Sequence, residues 1–338
     1  SGKRILGFAA TAVGVALHLR ENHLQITYYL MLIVIGYGIM HLILAIRAKQ
    51  VGDFFKNIGV LIPAVVIASG TFFGQFWAIT EYTKFSIRGP SEIATKQSAA
   101  DVNGLSKSYA FQYKYGIWEP MTLFIPNFYG GSSMDLLAAD QSSNTYKSLS
   151  QAGDNDTANQ MANYARAYWG PQGFTAGPYY AGALVCFLFI LGIAFAEKKY
   201  VWWLLPLSVL SIMLSWGDAF SSFNYFMFDY FPGYNKFRSV SFALVIILFS
   251  MPLLGMLGLE KLIEKGWNKE TQRKLIWPVS IALGLCLVFL TIGGFGSFLK
   301  PEESQLPVWL RQAMQKDRVA LLRSDAWRAT WMILIFCG

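Results

Sequence analysis

Eight apolar runs, at about 5–19, 24–46, 58–80, 178–196, 200–216, 239–259, 275–299 and 326–338, constrain this chain more than any motif in it. Stretches near 20 apolar residues match the hydrocarbon core of a bilayer, about 30 Å thick. Only 14% of the residues are charged, against about 25% in an average soluble domain. The expectation is an all-α, polytopic transmembrane helical bundle forming one domain over residues 1–338. It has seven spans and the start of an eighth. The first run is short and leans on Gly7 and Gly14; the last is cut off by the end of the sequence.

The net charge of +8 follows the loops rather than a nucleic-acid face. Lys3 and Arg4, then Arg47, Lys49 and Lys56, then Lys198 and Lys199, then Lys261, Lys265, Lys269, Arg273 and Lys274 fall in alternate connections. Basic residues mark the cytoplasmic side of a membrane protein. The other face then carries the Arg20–His23 turn, a long outer segment over 81–177, a shorter one over 217–238, and an outer amphipathic segment over 300–325. The cytoplasmic loops are too short for a nucleotide-binding domain, and no phosphate-binding glycine loop occurs. Cys186, Cys286 and Cys337 each sit in an apolar run without metal or redox spacing. The chain begins Ser1-Gly2-Lys3-Arg4 and stops inside an apolar run, as an internal piece of a longer protein does.

Within the long outer segment, residues 121–131 are apolar but broken by Pro126 and a glycine pair. They suit either a re-entrant element or a packed loop with an aromatic core. Residues 135–163 are rich in Asp, Asn, Ser and Gln and read as an exposed excursion. Asp154-Asn155-Asp156 resembles the start of a calcium loop but lacks its glycine and terminal glutamate. Asn155-Asp156-Thr157 matches a glycosylation acceptor. Trp169 and Tyr179-Tyr180 suit an interfacial aromatic belt, or a platform for a sugar face.

Three outer groups have the residue types that chemistry needs. Glu21, His23 and Gln25 sit in the first turn, with Tyr28 and Tyr29 one helical turn deeper; an ionisable cluster at a membrane face is a site candidate by default. Glu21 and His23 are the catalytic candidates, as base, metal ligand or phosphate donor. A turn with capping residues also explains Glu21 and Asn22. Glu81 and Arg88 leave the third run, where Arg88-Gly89 offers a guanidinium fork beside open backbone; lipid-facing snorkelling is the plainer account. Lys236 and Arg238 follow a Pro232-Gly233 turn on the face where positive charge is disfavoured, at the predicted start of the sixth span. An anionic ligand explains that breach, and a helix N-terminus there would favour it further. Arg318 and Arg323 read as a solvated face of the 316–325 helix, or as aids to phosphate binding. No nucleophile triad, multi-histidine metal pattern or cofactor motif is present, and a divalent metal is left open.

Asn22-His23-Leu24-Gln25-Ile26-Thr27-Tyr28-Tyr29, Glu81-Tyr82 with Ile87-Arg88-Gly89, Ile125-Pro126-Asn127-Phe128-Tyr129-Gly130-Gly131, and Pro232-Gly233-Tyr234-Asn235-Lys236-Phe237-Arg238 occur in this order. Together they resemble the YfhO-type bacterial membrane proteins, in the large form found in Bacteroidetes. The resemblance implies a type C glycosyltransferase-like fold in the bacterial inner membrane. It implies transfer of a sugar from a polyprenyl-phosphate donor to a cell-envelope glycan acceptor on the outer face. It also implies a main carboxylate in an outer loop upstream of this sequence, leaving Glu21 as a second acid. Lys236, Arg238 and Arg88 would hold the phosphate, with Gln25, Tyr28 and Glu81 in the same substrate site. The alternative is a transporter or flippase for a polyprenyl-linked sugar or lipid. The partners are then lipid and glycan, with no nucleic acid.

Overall fold

The computed structural model describes residues 2–89, 104–151, 155–172, 175–292 and 296–337. Among them every regular element is helical, and the sole β-feature is an isolated bridge between Leu136 and Arg166. In chain order the α-helices are α1 (Gly2–Arg20), α2 (Leu24–Arg47), α3 (Val51–Thr71), α4 (Phe73–Lys84), α5 (Lys107–Ala110), α6 (Asn144–Ser150) and α7 (Asn155–Tyr164). They continue as α8 (Ala183–Phe195), α9 (Lys198–Ser215), α10 (Ser221–Tyr230), α11 (Val245–Lys265), α12 (Lys269–Ile292) and α13 (Val308–Cys337). Part of the predicted outer segment (90–103), Asp154 of the Asp-Asn-Asp motif, and Gly173 and Phe174 lie outside the described residues.

Four helices among the described residues are long and apolar enough to cross a membrane: Leu24–Arg47, Val51–Thr71, Val240–Lys265 and Lys269–Thr291. A fifth crossing is reached if Lys198–Ser215 and Gly217–Tyr230, bent by 115°, count as one broken span. The architecture is compatible with a multi-pass membrane protein, with fewer crossings than the apolar runs suggest. The run 58–80 is two helices that part at Phe72, whose φ of −110° and ψ of 8° leave the helical region. The run 178–196 forms a helix of only 13 residues. The predicted outer helix 316–325 and the described part of the final run, 326–337, belong to one continuous 30-residue helix. Prolines 63, 206, 252 and 278 lie inside α3, α9, α11 and α12, where apolar surroundings tolerate them better than water does.

By backbone contact the chain forms two compact units, residues 1–112 with 205–247, and residues 113–204 with 248–338. In the first, α3 packs on α1 and α2, and its Ala64 and Ala68 are essentially unexposed. Val34, Ile35 and Ile39 of α2 and Ile62, Val66 and Ile67 of α3 face outward. An apolar surface of this kind is costly in water and natural in lipid.

In the second unit α13 packs on α12, α8 and α6. Its buried residues recur every three or four positions: Leu310, Ala313, Met314, Asp317, Arg318, Leu322, Asp325, Ala326, Ala329, Ile333. This is one helical face, and three of its members are charged. They anchor Asn127, Asn144, Thr145, Arg166 and Ala167. Asp317 accepts four hydrogen bonds of 2.6–2.9 Å from the backbone and side chains of Asn144 and Thr145. Asp325 accepts from the Asn127 amide at 2.8 Å. Most described residues of 135–163 are exposed, as their polarity implies, but the segment is anchored on α13. Leu137 and Leu149 are buried with Leu310 and Met314 of α13. Residues 121–131 form a packed loop: Leu123, Phe124 and Ile125 are buried, and Phe124 and Phe128 meet Phe289 of α12. At another end of this unit, Glu197 pairs with Lys199 at 2.9 Å and Lys261 at 3.8 Å. Two loops predicted to share the cytoplasmic side are thus neighbours.

Candidate anion-binding groove

The first unit brings three of the predicted groups to one place. The α1–α2 turn is closed by Asn22, at φ +54°, a left-handed conformation that asparagine tolerates. His23 is the N-cap of α2: its Nδ1 accepts the Ile26 amide at 3.3 Å. That bond fixes the neutral tautomer with the proton on Nε2 while the cap is made. Its ring also meets Phe242 edge-on at 5.4 Å. The capping duty thus falls to His23 rather than to Glu21 or Asn22.

One turn into α2, Gln25, Tyr28 and Tyr29 grip the segment 231–239. Tyr28 donates from its hydroxyl to the Pro232 carbonyl at 3.1 Å, and its ring lies 5.1 Å from that of Phe237. Gln25 donates from Nε2 to the Ser239 carbonyl at 3.2 Å and to the Tyr29 hydroxyl at 3.3 Å. The segment turns at Gly233, φ +77°, where a side chain would be strained. It is stitched to residues 105–110 by Leu105 N–H to Asn235 O at 3.0 Å and Ser239 N–H to Ala110 O at 3.1 Å. The helix begins later than expected. Lys236 ends a short 3-10 turn, and α11 follows only after a second turn over Val240–Leu244. Lys236 and Arg238 therefore precede the helix and gain nothing from its dipole, which acts only across the first turn.

Lys236 and Arg88 hold each other through backbone. Lys236 Nζ donates to the Arg88 carbonyl at 2.7 Å, and Arg88 Nε donates to the Lys236 carbonyl at 3.0 Å. This clasp leaves both terminal nitrogens of the Arg88 fork without a partner among the described residues. Burial pulls the Lys236 ammonium below the usual lysine range. Arg238 stacks on the Tyr109 ring at 4.3 Å and donates to the Tyr109 hydroxyl at 3.0 Å and to Gln112 Oε1 at 2.7 Å.

The result is an open groove of about 1110 Å³. His23, Gln25, Tyr28, Arg88, Lys236 and Arg238 line it, with Met31, Ile79, Phe85, Phe237 and Phe242 as apolar wall. Its described lining holds no Asp or Glu. Glu81 lies outside the lining and pairs with Lys84 at 2.8 Å one turn along α4, both side chains more than half exposed. Glu21 is exposed and also outside the lining. Neither acid is placed to act in this groove. No cluster of three or more His, Cys, Asp or Glu suited to a metal occurs among the described residues.

Two polar clusters of the second unit escape a reading by residue type. Arg318, fully buried, forms a fork-to-fork pair with Glu303 at 2.7 Å on both arms and donates to three backbone carbonyls, those of Arg166, Ala167 and Phe298. It is neither on a solvated face nor available for phosphate. Glu119, 2% exposed, accepts from Tyr168 Oη at 2.7 Å, Gln172 Nε2 at 2.8 Å and the Gly116 amide at 2.8 Å. Burial pushes its carboxyl above the usual range, with the three donors pulling the other way. One signal was present: Glu119 stands in the apolar stretch 117–125, where a lone acid has to find internal partners.

Fold and groove define a class: an all-α chain with membrane-length apolar helices and a cationic, partly apolar groove at one end of its first unit. No family model, curated protein or solved structure matches the chain.

Proposed function

We propose that this chain belongs to a membrane glycosyltransferase of the C type, and that the groove holds the phosphate of a polyprenyl-phosphate sugar donor. One observation carries the reading: Arg88, Lys236 and Arg238, from two separate segments, line a single groove whose remaining wall is largely apolar. A lipid-linked phosphate combines the two chemistries that such a wall recognises. Guanidinium forks bind phosphate oxygens in pairs, and the Arg88 fork is oriented by its Nε–backbone bond. In transfer, the bond between the anomeric carbon and the phosphate oxygen breaks as the acceptor oxygen attacks. The acceptor proton passes to a base, and the cations stabilise the departing phosphate. His23, protonated on Nε2 while it caps α2, acts as a hydrogen-bond donor to the sugar rather than as that base. The base is assigned to a carboxylate outside this sequence, as the resemblance to YfhO-type proteins implies. The site is on the outer face of a bacterial inner membrane, and the acceptor is an envelope glycan.

The test is sugar transfer in proteoliposomes from a polyprenyl-phosphate donor, with the protein at its full natural length. Arg88→Lys keeps the charge and loses the fork; Lys236→Ala with Arg238→Ala removes two cations. Transfer should fall by roughly 10²-fold in the double variant, and less in Arg88→Lys. Unchanged transfer in both would sink the phosphate assignment. A second reading, a flippase for the same lipid, is favoured by the lack of Asp and Glu in the described lining. Donor translocation without transfer by the wild type would select it.

A further inference from the structure

The second unit contains another cavity, of about 870 Å³, separate from the groove in the residues that line it. Its walls come from 116–172 and 299–302. Trp169 and Tyr129 line it with ring centroids 4.6 Å apart, and Phe298 stands 4.9 Å from Trp169 on another side. Two cations share the lining. Arg166 donates from one terminal nitrogen to the Met134 carbonyl at 3.3 Å; its other nitrogens have no partner among the described residues. Lys300 lies 5.1 Å over the Tyr168 ring, and burial lowers its ammonium below the usual range. Neither cation has a carboxylate at ion-pair distance among the described residues. Gln172, 8% exposed, also lines the cavity. Its Nε2 is committed to Glu119 and its backbone N–H to the Tyr168 hydroxyl at 3.0 Å, so its Oε1 is held in a fixed orientation with no donor among the described residues. Glu302 and Ser133 complete the polar side chains of the lining.

These walls are built to stay where they are. One buried guanidinium, that of Arg318, bonds the carbonyl of Arg166, which lines the cavity, and those of Ala167 and Phe298, next in sequence to the lining residues Arg166 and Leu299. Its partner Glu303 accepts the backbone N–H of Lys300 at 2.8 Å. A site whose own hydrogen bonds are made before the ligand arrives loses less entropy on binding.

We propose that this cavity is a binding site for a saccharide that carries an acid group. Pyranose rings present a face of C–H groups, and the negative face of an aromatic ring attracts it. Gln172 Oε1 and Glu302 accept hydroxyl protons, and Arg166 and Lys300 receive the acid. A neutral apolar ligand would leave both cations unpaired in a partly buried wall, which is costly. The inference stands apart from the groove, because no residue of one lines the other.

Calorimetry on the detergent-solubilised protein tests it, with a glucuronate-containing tetrasaccharide and neutral cellotetraose as probes. The acidic probe should bind at least tenfold tighter, and added salt should narrow the gap. Arg166→Gln with Lys300→Gln should bring the acidic probe down to the neutral one. Trp169→Ala should weaken both. Equal affinities for the two probes would overturn the acid assignment; no binding of either would overturn the site. Should Trp169→Ala fail to fold, Trp169→Phe keeps a ring, and the charge pair still decides selectivity. The readout needs no transfer, so its failure is distinguishable from failure of the groove reading.

Discussion

Arg318 uses all five of its N–H donors inside the protein: three on backbone carbonyls and two on the Glu303 carboxylate. Arg318→Ala would leave Glu303 as an uncompensated buried charge and orphan three carbonyls. The expected loss is about 3–5 kcal/mol, read as a lower unfolding midpoint in detergent. Arg318→Lys should recover little, since an ammonium cannot reproduce the planar fork. Glu119 allows a finer test. Its pKa in the folded chain lies above the unfolded value of about 4.3. The contribution is therefore full below the unfolded pKa and is lost as pH rises through the raised folded one. Glu119→Gln removes this titration and turns an amide N–H toward the Gly116 N–H, at about 1–3 kcal/mol. The stability gap between wild type and variant should therefore be widest at acid pH and shrink toward neutral. A gap that is flat across this range would show that Glu119 keeps an ordinary pKa.

At the scale of elements, α13 shows where residue-type reasoning stops. The i, i+3, i+4 spacing of its buried face is present in the sequence, but Asp317, Arg318 and Asp325 occupy that face. Charges are usually a solvated face, so by residue type alone the chain divides at Asp325 into an outer piece and a span. What reverses the rule lies 150–200 positions away, in the amides of Asn127 and Asn144 and the carbonyls of 166–167. A single sequence does not pair those positions. By contrast, the α1–α2 turn, the 231–239 segment and Arg88 were legible, because polar residues between membrane-length apolar runs are few and each has to answer for itself. The glycines of α8 and α11 add a packing test. A Cβ on Gly258 would overlap the Gly192 Cα, and one on Gly192 would overlap the Leu254 carbonyl. Gly258→Ala should push the helices apart, at about 1–3 kcal/mol. Gly284→Ala, on an exposed part of α12 with nothing within 4 Å, should be neutral or stabilising by up to about 1 kcal/mol. Opposite shifts in unfolding midpoint are expected from two chemically identical substitutions, and equal shifts would contradict the close helix contact.

For the whole molecule the decisive quantity is orientation, and two linked physical arguments predict it. Pro232 and Asn268 flank one candidate span, Val240–Lys265, so they lie on opposite faces if it crosses. Lys261, Lys265, Lys269, Arg273 and Lys274 surround Asn268, and such a density of basic residues is retained on the cytoplasmic side. Pro232 is then outside. Glu21 goes with it, because Tyr28, less than two helical turns along, donates to the Pro232 carbonyl. Single cysteines at Glu21, Pro232, Glu264 and Asn268, all exposed, test this in a background lacking Cys186, Cys286 and Cys337. A membrane-impermeant maleimide added to spheroplasts should label the first two at once and the last two only after permeabilisation. Labelling of all four from outside would mean that Val240–Lys265 does not cross. The reverse pattern would place the groove at the cytoplasmic face, where an outer-face lipid-linked donor cannot reach it, and the proposed glycosyl transfer would fall with it.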